Sequence, residues 1–328
     1  MTLLLLACVP PPAPPREPVD EVDPTVRAHS ATSAADHTAL LDTMGGHTGV
    51  PDGCAPEPEQ DEVFPHTRRA IATEEDFDFD GSGLLVAQYY TTLRGIDLVQ
   101  DPVILATGLE DDAAGIRVAP GGALLFYASP SYGTIVAVDR LDGNSWNVLY
   151  EVTNPRSLEM GLDGLLYVAE YTPDGRILTM DTTSRDVLLV GRLSYPNGMT
   201  LSMDEQVLYV SAGQGRSTLY AFDRQPSGRF DPRPRRVLES DGVVLSLATD
   251  VCDNLYLLSV RGGSVHRYRP DTGALRLIAE LPTDDLGFSA IRFSPGIGGF
   301  DGTHLWATNR SAVFEIEVGI AGRHVLRP

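Results

Sequence analysis

From about residue 75 to the end, the chain is written in short runs of β-branched, leucine and aromatic residues. Gly, Pro and Asp turns cut these runs about every eight to twelve residues. No helical stripe of useful length appears, and within a run the alternation has the two-residue period of a strand. In "TIVAVD", Ile135, Ala137 and Asp139 face one way and Val136 and Val138 the other. The runs also repeat. "GIRVAPGGALLFYAS" at 115–129 returns as "SLEMGLDGLLYVAE" at 157–170, "GMTLSMDEQVLYVSA" at 198–212, "SLATDVCDNLYLLS" at 246–259 and "AIRFSPGIGGFDGTHLWAT" at 290–308. The aromatic marker falls at Phe126, Tyr167, Tyr209, Tyr256 and Trp306, with spacings of 41, 42, 47 and 50 residues. Insertions at "RQPSGRFDPRPRR" and "SPGIGGFDGTH" account for the two longer spacings. A further strand follows each phrase, from "TIVAVD" through "RILTMD", "TLYAFD" and "SVHRYR" to "AVFEIEV". A degenerate first copy, "DFDFDGSGLLVAQ" at 76–88, makes six.

A period of about forty residues with four short strands is that of a propeller blade, because an isolated four-stranded sheet cannot cover both its faces. The expected fold is all-β, a six-bladed β-propeller over residues 75–328. A β-sandwich would not explain six returns of one phrase.

Residues 9–70 are rich in Pro, Asp, Glu, Ala and Thr, show neither period, and read as a disordered linker. Residues 1–8, MTLLLLAC, form an apolar leader far short of the ~20 residues of a membrane span. "LLAC" resembles a bacterial lipobox, which makes Cys8 the expected lipidation site, although no basic region precedes it. The expected location is extracytoplasmic, as a cell-envelope lipoprotein or a periplasmic or secreted protein, with membrane contact only through that anchor. Cys54 and Cys252 can pair in an oxidising compartment. With 25 Lys and Arg against 45 Asp and Glu, the formal charge is -20. Phosphate binding needs clustered cations, so nucleic acid is excluded as a partner. A small-molecule or peptide ligand and a monomeric state are expected.

The innermost strands of a propeller start around a central channel, so the residue before each repeat phrase lines one mouth. Counting back from the aromatic markers gives Glu75, Ala114, Arg156, Asn197, Leu245 and Ser289. Polar groups converging on a concavity mark a binding site; a solvated channel lining is the plainer alternative. Arg156, Asn197 and Ser289 are the candidate ligand-binding residues. "DFDFDG" offers a second site, with Asp76, Asp78 and Asp80 at the spacing that opens a calcium loop. Position twelve of that loop is Ala87, and the segment reads equally as a strand entering a hairpin. His266, His304 and His324 have no G-x-S-x-G elbow beside them, so nucleophilic catalysis is not indicated.

"YPNGMTLSMDEQVLYVSAGQGRSTLYAFD" at 195–223 and "NLYLLSVRGGSVHRYRPDTG" at 254–273 resemble the fourth and fifth blades of the senescence marker protein, regucalcin and gluconolactonase family. NHL-type propellers share much of the phrasing. The resemblance implies a divalent metal such as calcium at the mouth, polarising a lactone carbonyl and activating water. It assigns Asn197 and Glu75 as metal ligands. The family's fifth-blade Asp falls on Leu245, its third-blade Asn falls on Arg156, and Asp241 lies four residues early. The favoured reading is therefore an exported, membrane-tethered propeller that binds a small, anionic ligand at the mouth without catalysis. The alternatives are a metal-dependent lactonase or esterase and a structural protein-interaction propeller.

Overall fold

The computed structural model describes residue 54 and residues 63–260, 262–283 and 287–323. Cys8, the leader and most of the expected linker lie outside the described residues, as does His324. The strands are β1 (His66–Arg69), β2 (Phe77–Phe79), β3 (Leu85–Tyr89), β4 (Thr92–Ile96), β5 (Val103–Thr107), β6 (Gly115–Val118), β7 (Leu124–Ser129), β8 (Thr134–Asp139), β9 (Ser145–Leu149), β10 (Pro155–Met160), β11 (Leu165–Glu170) and β12 (Gly175–Asp181). There follow β13 (Val187–Leu193), β14 (Pro196–Leu201), β15 (Val207–Ala212), β16 (Thr218–Asp223), β17 (Arg235–Glu239), β18 (Val244–Thr249), β19 (Leu255–Ser259), β20 (Ser264–Arg269), β21 (Ala274–Glu280), β22 (Ala290–Phe293), β23 (His304–Thr308) and β24 (Val313–Glu317). They form six four-stranded antiparallel sheets. The six-bladed propeller read from the repeats is the fold.

One boundary moves. The linker read over 9–70 ends earlier, because His66–Arg69 pairs with β24 as the outermost strand of blade six. Chain from before blade one thus closes the ring. Arg69 Nε donates to Glu315 at 2.8 Å across this seam. Phe64 N–H donates to Ile278 O at 2.7 Å, and Cys54 is disulfide-bonded to Cys252 with Cα atoms 5.4 Å apart.

The period-two alternation feeds two cores from every blade. Ile135 and Ala137 pack toward blade three, while Val136 and Val138 pack toward blade one. Six apolar clusters result, one in each gap between neighbouring blades. The marker aromatics Phe126, Tyr167, Tyr209, Tyr256 and Trp306 are all buried in them. Among the described residues no helix is long and apolar enough to cross a membrane.

The channel between the blades is filled by ion pairs. Asp76 accepts from Arg117 at 3.0 Å and from Arg292 at 2.8 Å, and Arg117 donates onward to Glu159 at 3.2 Å. Arg323 pairs with Glu159 and donates to Glu205 at 2.8 Å. Arg323 arrives on the chain after β24, which crosses the far end of the channel. There Val251 N–H donates to Ala321 O at 2.9 Å, and Arg323 N–H donates to Thr249 O at 2.8 Å.

Candidate ligand pocket at the channel mouth

At the opposite end, where each innermost strand begins, lies a cavity of about 190 Å³. Its lining contains all six counted residues, Glu75, Ala114, Arg156, Asn197, Leu245 and Ser289. The local backbone explains why the count works. In blades three, four and five the pairing of first and second strands slips at Arg156, at Asn197 and Gly198, and at Leu245. A bulge at these points turns the extra residue toward the channel. In blades three and four a left-handed residue followed by proline leads into the strand. Asn154 (φ 48°) precedes Pro155 and Arg156, and Tyr195 (φ 54°) precedes Pro196 and Asn197. Gly198 is required by close approach, since a Cβ there would lie 2.7 Å from Leu245 O.

Sequence reasoning missed Asp76, Arg292, Arg310 and Tyr171 as members of this lining. Arg310 sits in the turn between β23 and β24 with φ 71°. Its signal is an arginine in the turn between second and third strands, "NRSA" at 309–312 matching "VRGG" at 260–263, but the count addresses strand starts and not turns.

Glu75 is held by two guanidiniums. Arg156 donates to one carboxylate oxygen at 2.9 Å and Arg310 to the other at 2.7 Å. These contacts bear on Glu75 and Asn197 as expected metal ligands. Glu75 has both oxygens engaged by cations, Leu245 has no donor, and Arg156 brings positive charge to the same place. Asn197 alone remains, and the residues present do not fit a divalent cation. Among the described residues no three His, Cys, Asp or Glu side chains converge to hold a metal.

Asp76, Asp78 and Asp80, expected as a calcium loop, make contacts within the fold instead. β2 keeps this segment extended, so its carboxylates are spread along a strand. Asp76 and Asp78 accept the backbone N–H groups of Ile116 (3.1 Å) and Val118 (2.9 Å) in blade two. Asp80 caps the following hairpin, accepting from Ser82 N–H and Leu84 N–H at 2.9 Å each. The histidines stay apart. His266 lies within β20, where burial lowers its pKa, and His304 Nδ1 is 2.8 Å from Glu315.

Arg156, Arg292 and Arg310 face Glu75 and Asp76 in this lining, a surplus of one positive charge in a chain of net charge -20. Buried Nε atoms of Arg156, Arg292 and Arg310 and the Oγ of Ser289 have no hydrogen-bond partner among the described residues.

Residues 159–309 match the SMP-30/Gluconolactonase/LRE-like region. The match runs from blade three into blade six and covers Asn197, Leu245 and Ser289. The propeller is similar in structure to the calcium-binding protein regucalcin from Agrobacterium tumefaciens, at 17% identity and a TM-score of 0.65, over 81% of this chain and 98% of that one. A gluconolactonase from Xanthomonas campestris gives 18% identity and a TM-score of 0.62, over 78% and 87%. Virginiamycin B lyase from Staphylococcus aureus gives 14% and 0.58, over 77% and 99%. Likeness at these identities is likeness of fold. No curated protein sequence matches the chain.

Proposed function

We propose that the protein binds a small carboxylate-bearing ligand in the mouth cavity without a metal. The observation that carries this reading is the three guanidinium side chains, of Arg156, Arg292 and Arg310, lining one cavity with only two carboxylates beside them. Guanidiniums hold oxyanions through directed, charge-assisted N–H donors, often two at a time. The same proposal places the protein outside the cytoplasm, tethered through Cys8. The Cys54–Cys252 disulfide supports that location, because disulfides persist in oxidising compartments.

Calorimetry with lactate and gluconate, against uncharged glucose, tests the reading. The carboxylates bind, glucose does not, and a chelator changes neither result. Arg310→Ala removes binding. Glu75→Gln removes the carboxylate that competes for both guanidiniums and tightens binding by about ten-fold, or about 1.4 kcal/mol. Indifference of the protein to all carboxylates would sink the proposal.

A metal-dependent lactonase is the second reading. It draws on the family match and on Glu75 and Asn197 sharing one cavity. Hydrolysis of gluconolactone that requires added Ca²⁺, Zn²⁺ or Mn²⁺, and that is lost in Asn197→Ala, would replace the first reading with this one.

A further inference from the structure

At about 190 Å³ the cavity is smaller than the ~300 to 1,000 Å³ of pockets that enclose drug-sized ligands. It seats a head group, and the remainder of a longer ligand must lie on the mouth face outside. That face is uneven. The turns joining second to third strands carry Tyr90 in blade one, Tyr132 in blade two and Tyr171 in blade three. The equivalent turns of blades four to six, at 213–217, 260–263 and 309–312, contain no aromatic residue. Two more tyrosines stand on the blade connections of the same half, Tyr150 after β9 and Tyr195 before β14. Tyr90, Tyr132 and Tyr150 are 63%, 62% and 61% exposed, an unusual outlay of large rings to water on one face. Tyr171 joins this shelf to the cavity: it lines the cavity and packs on Tyr195 with ring centroids 5.2 Å apart.

Acids interleave with the rings. Glu110 and Asp111 lie on the connection into blade two, and Glu151 follows Tyr150. A hydrogen bond to Glu110 raises the pKa of the Tyr132 hydroxyl, which places ring and carboxylate together. The shelf already seats one guanidinium, that of Arg94, 4.1 Å from the Tyr89 ring centroid, and Tyr89 packs edge-on against Tyr90 at 4.7 Å. Rings flanked by carboxylates are a surface for cations. Backbone strain gathers here too. Of eight non-glycine residues with positive φ among those described, Tyr90, Glu151, Asn154, Tyr195 and Arg310 lie on this face. Such conformations concentrate at binding sites, where surrounding structure holds them.

We propose that the mouth face binds the C-terminal end of a basic peptide, with the terminal carboxylate in the cavity and Lys or Arg side chains on the tyrosine and acid shelf of blades one to three. The inference rests on the carboxylate-binding reading of the cavity and adds the partner. A positive inner site beside a negative rim matches a chain end that carries both charges. A polyanionic saccharide meets repulsion from Glu110, Asp111, Glu151 and the net charge of -20.

Fluorescence anisotropy with the labelled peptide KGKGKG tests it, alongside its C-terminal amide and the EGEGEG peptide, with lactate titrated by calorimetry on the same protein. The free-acid lysine peptide binds tighter than either control by about ten-fold or more, as expected for close charge pairs. Tyr132→Ala and Asp111→Asn, both at exposed positions, weaken the lysine peptide more than they weaken lactate, with unchanged melting temperature. Arg310→Ala removes binding of both ligands. Equal affinity for acid and amide, or for lysine and glutamate peptides, while lactate still binds, overturns this inference and leaves the cavity reading standing. Loss of lactate binding as well overturns both. Preference for a glucuronate oligosaccharide over the lysine peptide overturns it in favour of an acidic saccharide.

Discussion

Replacing Asp78 with Asn is expected to change the pH dependence of stability in a calculable way. Desolvation in the channel pushes the Asp78 carboxyl from its ordinary 3.8 up to about 6. Arg117, Arg292 and the N–H groups of Val118 and Phe79 oppose this without cancelling it. The folded protein therefore holds this proton more tightly than the unfolded chain does. The associated stability is fully present below pH 3.8 and is lost as pH rises through about 6. A rise of that size corresponds to about 3 kcal/mol at 1.36 kcal/mol per pKa unit. That figure is a ceiling, because Asp78 keeps partial access to water.

Asn cannot ionise, so Asp78→Asn lacks this loss. Its oxygen can keep one of the two N–H bonds that Asp78 accepts at 2.9 Å, from Val118 and Phe79. Its NH₂ group cannot accept the other, which costs about 1–3 kcal/mol. At pH 4 the variant is the less stable protein by about that amount. By pH 7.5 the gap closes or reverses, having moved by about 2–3 kcal/mol in favour of Asn. Urea unfolding at four pH values between 4 and 7.5, at constant ionic strength, measures the gap, and taking the difference cancels the titrations shared by both proteins. A gap that stays constant across this range refutes the assignment of a desolvated, ionisable Asp78.

Arg117→Met removes one of two guanidiniums on Asp76 and one of two on Glu159, with Arg292 and Arg323 remaining, and chemical denaturation at pH 7 is expected to show a loss of about 1–3 kcal/mol. Gly198→Ala brings a Cβ to 2.7 Å from Leu245 O and 2.8 Å from Ser246 Cα, both backbone atoms that cannot swing away. The expected loss is about 1–3 kcal/mol, read as a lower melting temperature. Cys54→Ser removes a disulfide that joins residues 198 apart in sequence. Loop-closure entropy sets the loss at no more than about 5 kcal/mol, and a reductant should then no longer affect the variant's melting temperature while lowering that of the oxidised wild type.

The blades were legible because every one buries the same alternate positions against its two neighbours, so the apolar pattern repeats wherever the architecture does. β1 was not. "HTRR" has no apolar run, its positions are largely exposed, and its partner strand is Val313–Glu317, far along the chain. Local pattern carries no information on a pairing of that kind. The mouth ring was legible by register, since Arg156, Asn197 and Leu245 occupy equivalent bulges. Arg310 and Tyr171 were not, because turns vary in length and composition from blade to blade while strand starts do not. The "DFDFDG" segment shows a different limit. Alternate aspartates satisfy a calcium-loop spacing and a strand period equally well, and the blade-two N–H groups of Ile116 and Val118 decide between them.

Glu75 and Asn197 stand where the family resemblance puts metal ligands, yet the positive charge beside Glu75 belongs to Arg156 and Arg310. A guanidinium supplied by the chain differs from a metal in three ways that matter for a ligand. It is always present, it binds by directed N–H donors, and it cannot lower the pKa of water as a bound divalent ion does. In the proposed reading, the mouth recognises an oxyanion through guanidiniums in place of a metal. The same scaffold can exchange one for the other because the bulges fix where side chains point and leave open what they are. Shared architecture over residues 159–309 shows the fold, and the chemistry of the mouth has to be read from the residues that line it.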